Sequence, residues 1–335
     1  MTFLELRQRL RDLGAKPDHE GAVLRSWLAG RALDGRIPRG RPFPGKLAAG
    51  LPALAEELAA IARIRSVHPA EDGSARLLIE LGDGQIVESV LLRRDGLCVS
   101  SQVGCAVGCS FCMTGRSGLI RQLTATEILS QLVLARAQRP VHKVVFMGMG
   151  EPAHNLNAVL EAVELMGTVA GLAAERIFLS TVGDHRVFER LPQGRVKPVL
   201  ALSLHTTRAE LRERLLPKAP RIAPDELVEL ANGYAESRRY PVLYQWTLLE
   251  GINDTEEEIA GLVRLLRGKR AVLNLIPFNS IPGSEFRRPE WERAAWMART
   301  LHQRGVLTKL RRSNGQDVDG GCGQLRARAA AQAPG

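Results

Sequence analysis

Cysteine is scarce in this chain, which has five in 335 residues. That is too few for the disulfide framework of a small secreted scaffold. No run of 18 apolar residues occurs, so a conventional membrane-spanning helix is excluded. The opening MTFLELRQRLRDLG mixes charges with apolar residues at helical spacing and lacks the apolar stretch of a secretory signal. Acidic residues are in deficit, 36 against 46 Lys and Arg, which leaves a net charge of +10. A cytoplasmic protein with a polyanionic partner, nucleic acid first among them, is the expectation. Arg36, Arg39, Arg41 and Lys46 cluster in GRIPRGRPFPGK, which reads either as a solvated loop or as a phosphate contact.

The hydrophobic content, 45%, is enough for a real core. FLELRQRL, GAVLRSWLAG and KLAAGLPALAEELAAIARI carry helical periodicity. ARLLIEL (75–81) and QIVESVLL (85–92), joined by GDG, read as a β-hairpin. Farther on, short apolar runs (VHKVVFMGMG, RIFLSTVG, VKPVLALSLH, PVLYQWTLLEG, AVLNLIPFN, GVLTKLRR) alternate with amphipathic stretches. Thr124 and Glu127 form a capping box ahead of the first of these stretches. Six such repeats predict an α/β fold with a parallel, full or partial barrel, and functional residues at the C-terminal ends of its strands. The expected divisions are an accessory domain with the hairpin (1–90), the barrel (91–312) and a Gly- and Ala-rich tail (313–335).

Four of the five cysteines fall in CVSSQVGCAVGCSFC, where Cys105, Cys109 and Cys112 are spaced C-x3-C-x2-C. No histidine stands nearby at ligand spacing and there is no second C-x2-C, so the triplet is one ligand short of a closed structural zinc site. A [4Fe-4S] cluster on three cysteines instead leaves one iron open to a small chelating molecule. A zinc site borrowing Cys98 or Cys322 is the alternative. The triplet, placed ahead of the first α/β units, resembles that of the radical S-adenosylmethionine (SAM) superfamily. The resemblance implies a partial (β/α)6 barrel, SAM bound at the open iron, and its reductive cleavage to a 5′-deoxyadenosyl radical.

The strand ends supply polar residues where a SAM site needs them. GMGEP ends one strand; its glycines, Gly150 among them, let backbone approach a ligand, and Glu151 can accept from SAM's ammonium. Ser180 ends LSTVG, Ser203-Leu204-His205 end the next run, and Asn279 ends IPFN. Singly, each reads equally as a strand cap or a satisfied buried polar group. Cys98 and Cys322 could be small buried hydrophobes. Cys322, however, sits in DVDGGCGQL, where three flanking glycines make a poor core, and Cys98 shares its stretch with the cluster ligands.

VESV, LCVSSQVGC with its two following cysteines, GMGEP, STVG, SLH, IPFN and DVDGGCGQL stand in the order seen in the RlmN/Cfr family, which this chain resembles from about residue 85 onward. These are radical SAM methyltransferases acting on adenosine in ribosomal RNA and, in some members, transfer RNA. The resemblance implies two SAM molecules per turnover: one methylates Cys322 by ordinary displacement, the other supplies the radical that activates the thiomethyl group. It implies a covalent RNA–Cys322 adduct, with Glu88 of VESV as the proton acceptor and Cys98 as the thiol that forms a transient disulfide with Cys322. A flavodoxin-type electron donor and a monomeric enzyme complete the expectation. Gln245 stands where the family carries an acidic or small residue, and Gly320-Gly321 where it carries two alanines. Neither touches a cysteine position; carbon 2 of adenine, the commoner housekeeping target, is expected over carbon 8. A zinc-stabilised RNA-binding protein and a radical SAM enzyme acting on another substrate are the competing readings.

Overall fold

The computed structural model describes residues 1–33, 42–236, 238–281 and 283–311, together with Gln324 and Arg326. Three helices open the chain: α1 (Phe3–Asp12), α2 (Pro17–Leu28) and α3 (Gly45–Ala59). A capping box between Thr2 and Glu5 starts α1, whose buried Leu6 and Leu10 recur one turn apart. The helical pattern of the third run stops at Ala59, and the following ARIRSVHP becomes β1 (Ala62–Pro69). There a buried Ala62 is followed by alternating exposure, with Arg63 and Arg65 outward, which suits a sheet edge rather than a helix. β1 pairs antiparallel with β2 (Ala75–Leu81), which pairs with β3 (Ile86–Leu91) across the expected hairpin.

The chain then lays down β4 (Gly96–Cys98), a small ribbon of β5 (Gln102–Gly104) and β6 (Leu119–Gln122) around the four-residue α4 (Met113–Arg116), and α5 (Ala125–Gln138). The Thr124–Glu127 capping box opens α5 as expected. β7 (Lys143–Phe146) leads to α6 (Leu156–Thr168), β8 (Ile177–Thr181) to α7 (His185–Arg190), and β9 (Val199–Ser203) to α8 (Ala209–Leu215) and α9 (Pro224–Glu236). β10 (Val242–Leu248) leads to α10 (Glu256–Leu266), β11 (Ala271–Pro277) to α11 (Trp291–Gln303), and β12 (Thr308–Leu310) follows.

All the strands except β5 and β6 form one sheet in the order β1-β2-β3-β4-β7-β8-β9-β10-β11-β12, antiparallel up to β4 and parallel from there on. Both hairpin strands and all six barrel strands expected from the sequence are present, and β4 adds a short one that joins hairpin and barrel. The result is a partial (β/α)6 barrel with helices on its outer face. The apolar residues of α1, α2 and α3 share one continuous core with β2, β3 and the barrel helices. Among the described residues no helix is long and apolar enough to cross a membrane.

Candidate active site

Strand register decides which side chains share the barrel's inner face, because residues directly opposite in a ladder point the same way. One row runs Arg76–Val90–Cys98–Val145–Phe178–Val199 across β2, β3, β4, β7, β8 and β9. A second runs Ser203–Gln245–Asn274–Lys309 across β9 to β12. Ser180 and Ser203 bring their hydroxyls to 3.5 Å of each other. The sequence-predicted Cys98, Glu151, Ser180, Ser203, His205 and Asn279 thus lie at or just beyond the C-terminal ends of parallel strands.

The loop carrying the cysteine triplet is fastened over this rim. Cys105 N–H donates to Gly118 O (2.9 Å), Ser110 N–H to Leu215 O (3.0 Å), and Lys218 N–H to Val107 O (3.1 Å). Gly104, at φ 83°, admits no side chain, since a Cβ there would stand 1.9 Å from Gly118 O. Val107 and Cys105 join Val182, Leu211, Leu215 and Phe278 in a second, smaller apolar cluster, against which Phe111 packs. Burial pushes the Cys105 thiol up to about 12, and Cys109 is pushed well above its ordinary value by burial and by the neighbouring Cys112 and Cys105. Three sulfur donors on one loop in an apolar setting suit an iron–sulfur cluster, whose cationic iron offsets the crowding of thiolates. Among the described residues no three His, Cys, Asp or Glu side chains stand in ready metal-ligand geometry, so the fit rests on the chemistry of the donor set.

The GMGEP turn is held by close backbone packing. A Cβ on Gly148 would lie 2.6 Å from Val99 O, and one on Gly150 (φ 107°) 2.6 Å from Ser101 Oγ. These glycines therefore serve the approach of two chain segments, β4's exit and β7's. Glu151, buried, accepts from Thr181 Oγ1 (2.6 Å), Val182 N–H (2.9 Å) and Ala153 N–H (3.0 Å). Burial nonetheless raises its pKa. A carboxylate has about four acceptor positions, which leaves one for a ligand.

His205 takes a left-handed backbone, φ 62°, the one non-glycine residue with positive φ among the described residues. Its Nδ1 accepts from Thr247 N–H at 3.0 Å, so the ring carries its proton on Nε2. Burial and the nearby Arg212 push its pKa down to about 3, keeping it neutral. Phe111, between Cys109 and Cys112, meets the His205 ring edge to face at 4.9 Å. Arg212 of α8 was not legible in the sequence. Buried, it donates to the carbonyls of Ser203 (3.0 Å), Leu204 (2.9 Å) and Val182; burial pulls its pKa down to about 10, while Cys109 and Glu151 act to raise it. An arginine in an amphipathic ELRERL helix gives no sign that it turns inward.

Cys98 and Glu88 share the other side of the rim. Burial pushes the Cys98 thiol up to about 12; the Met147 N–H and the Arg76 charge pull it down, and Glu88 pushes it further up. Glu88 is fully buried, with Oε2 accepting from Arg76 Nη1 at 3.2 Å and Oε1 from the Arg326 backbone N–H at 2.8 Å. Arg326 Nε also reaches Ile86 O (2.8 Å), and Gln324 Nε2 donates to Ser280 O (2.9 Å), next to Asn279. Cys322, like Arg36, Arg39 and Arg41, lies outside the described residues. A cleft of about 760 Å³ bordered by Thr2, Asn157, Glu161 and Arg190 contains none of these residues.

A curled parallel sheet with a three-cysteine loop over its C-terminal rim defines a radical SAM enzyme, and residues 99–263 match the radical SAM superfamily. The chain belongs to the family of radical SAM RNA methyltransferases. A probable RNA methyltransferase of Thiobacillus denitrificans is 65% identical over 335 residues, all of this chain and 92% of that one. Another, from Pseudomonas aeruginosa, is 63% identical over 332 residues, 98% of this chain and 96% of that one. The crystal structure of a radical SAM methyltransferase from Sphaerobacter thermophilus superposes with a TM-score of 0.83 at 33% identity, covering 97% of each chain. This membership decides against the zinc alternative that the cysteine spacing left open.

Proposed function

We propose that the chain methylates an adenine carbon in ribosomal RNA, carbon 2 rather than carbon 8, with transfer RNA as a further substrate. The observation that carries this reading is the double engagement of Glu88: Arg76 holds one oxygen, and the chain four residues beyond Cys322 holds the other. Gln324, two residues beyond Cys322, is tied beside Asn279. A segment held at both points supports a Cys322 that works at the same rim as Cys98.

Cys105, Cys109 and Cys112 would hold the [4Fe-4S] cluster, and Gly150, Glu151, Ser180, Ser203, Leu204, His205 and Asn279 would line SAM. When bound, the cluster and SAM supply one-electron reduction and a carbon radical able to take hydrogen from a methyl group. Cys322 accepts a methyl group as its thiolate and carries that carbon onto the adenine ring, so two SAM molecules are spent per turnover. Glu88 accepts the ring proton, and a flavodoxin-type electron donor supplies the electron that SAM cleavage needs and takes back the one given up as the ring loses its proton. The Cys98 thiol, which burial keeps protonated, then gives up its proton as its sulfur bonds to the Cys322 sulfur. The carbon–sulfur bond breaks with its pair on carbon, and that carbon takes up a proton to become the product's methyl.

Residues 1–90 would contact RNA, where exposed Lys46 is the described member of the basic cluster. Residues 91–312 would house the chemistry and 313–335 the methyl acceptor, in a monomeric cytoplasmic enzyme. Anaerobic assay of the iron-loaded enzyme on ribosomal and transfer RNA, with mass spectrometry locating the new methyl, tests the reading. A methyl on an adenine carbon that requires Cys322 is expected; transfer unaffected by Cys322→Ala would overturn it.

A further inference from the structure

Arg76 is a poor choice for stability alone. It is buried, its side chain 5% exposed beside a Glu88 carboxylate that is 0% exposed. A buried ion pair of this kind is commonly no more stable than well-packed apolar residues of the same volume. Its geometry is also incomplete: one Nη reaches Glu88 at 3.2 Å, while Nε is buried without a hydrogen-bond partner among the described residues. An orphaned donor on a buried guanidinium adds further cost.

The position of Arg76 explains that cost. It occupies the same transverse row as Cys98, two strands away, with only Val90 between them. Glu88 stands two residues along β3 from Val90 and therefore points to the same face. The charged groups gathered there are Arg76, Glu88, the Cys98 thiol and the Arg326 guanidinium, which Glu88 also influences. A carboxylate wholly removed from water persists as a base only beside a counter-charge.

We propose that Arg76 is a positioning residue of the release step, holding the buried Glu88 carboxylate charged and aimed at the ring carbon. The inference rests on the reading of Glu88 as proton acceptor given above. In the step concerned the ring carbon–hydrogen bond breaks, its electron pair stays with the ring, and the proton passes to a Glu88 oxygen. Arg76 takes no proton; it keeps the acceptor a carboxylate and fixes one of its two oxygens.

Arg76→Met, Arg76→Lys, Glu88→Gln and the double variant Arg76→Met/Glu88→Gln would be iron-loaded and given RNA in a single turnover, then run on denaturing gels. Iron content and 5′-deoxyadenosine yield report whether each variant is intact. Arg76→Met is expected to hold RNA covalently on the protein as Glu88→Gln does, with turnover down about 100-fold, the scale of a lost general base. Arg76→Lys is expected to clear most of the adduct. The double variant, free of an unpaired buried charge, is expected to match Glu88→Gln, because both residues act through one carboxylate. If Glu88→Gln traps RNA while intact Arg76→Met releases it at the wild-type rate, the role of Arg76 is overturned and Glu88's stands. Arg76→Met, Arg76→Lys and the double variant failing alike, with iron lost, would mean a merely structural arginine. If Glu88→Gln traps nothing and turns over normally, the reading of Glu88 falls and the inference with it.

Discussion

The backbone N–H of Arg326 donates to Oε1 of Glu88 at 2.8 Å, across 238 residues of sequence. A neutral donor at a buried carboxylate makes a charge-assisted bond, of the stronger kind within proteins. It ties Arg326 to β3, the strand that pairs with β4 at Cys98.

That bond can be removed without touching Glu88. Arg326→Pro deletes the N–H, whereas Arg326→Ala keeps it and removes only the side chain's reach to Ile86 O. The proline variant is expected to lose about tenfold in methyl transfer, close to one charge-assisted hydrogen bond, and the alanine variant much less. Single-turnover RNA methylation distinguishes them, and equal losses would mean that the side chain alone anchors the tail.

Arg212→Met leaves the carbonyls of Val182, Ser203 and Leu204 without their guanidinium donor. Stability is expected to fall by about 3 kcal/mol, the range for opening a buried charged network. Thermal denaturation of the iron-free chain measures this, apart from any effect on activity.

Gly150→Ala would place a Cβ 2.6 Å from Ser101 Oγ at a φ of 107°, which a side chain seldom adopts. A loss of about 2 kcal/mol in stability is expected from strain of this kind, together with weaker SAM binding as Glu151 shifts. Equilibrium dialysis of SAM against the iron-loaded variant reads the second effect, and unchanged affinity would separate the turn from the ligand.

His205 titrates at about 3 in the fold against 6.5 when unperturbed. The unfolded chain therefore binds a proton that the folded one refuses, and the neutral ring's contribution is complete above about 6.5 and lost as pH falls towards 3. Its full size is on the order of 5 kcal/mol. Denaturant unfolding of wild type and His205→Asn across that window should show their stability difference shrinking on acidification, and parallel profiles would contradict the burial of a neutral ring.

Much of this architecture is legible in the sequence because the parallel strands leave plain apolar runs, as in KVVF, IFLST and VLALS. The Thr124–Glu127 capping box is equally local. β1 was hidden because ALAEELAAIARI keeps helical spacing through Ile64, and only pairing with β2 draws Ala62 onward into the sheet. β4 is three residues long and has no periodicity to read. Cys105, Cys109 and Cys112 announce themselves by spacing; Arg76 and Arg212 do not, since an arginine in a strand or helix looks solvated until register or packing turns it inward. The roles proposed for Cys98, Cys322 and Glu88 rest on family resemblance, because a lone thiol or strand glutamate carries no signal of its own.

The most direct test of the two-cysteine reading is a denaturing gel of the Cys98→Ala variant, iron-loaded and supplied with SAM, reductant and labelled ribosomal RNA under anaerobic conditions. If Cys98 releases the product from Cys322, RNA will migrate covalently attached to the protein, and the attachment will vanish in Cys98→Ala/Cys322→Ala. A Cys98→Ala enzyme that cleaves SAM yet turns over methylated RNA with no attached species would contradict it.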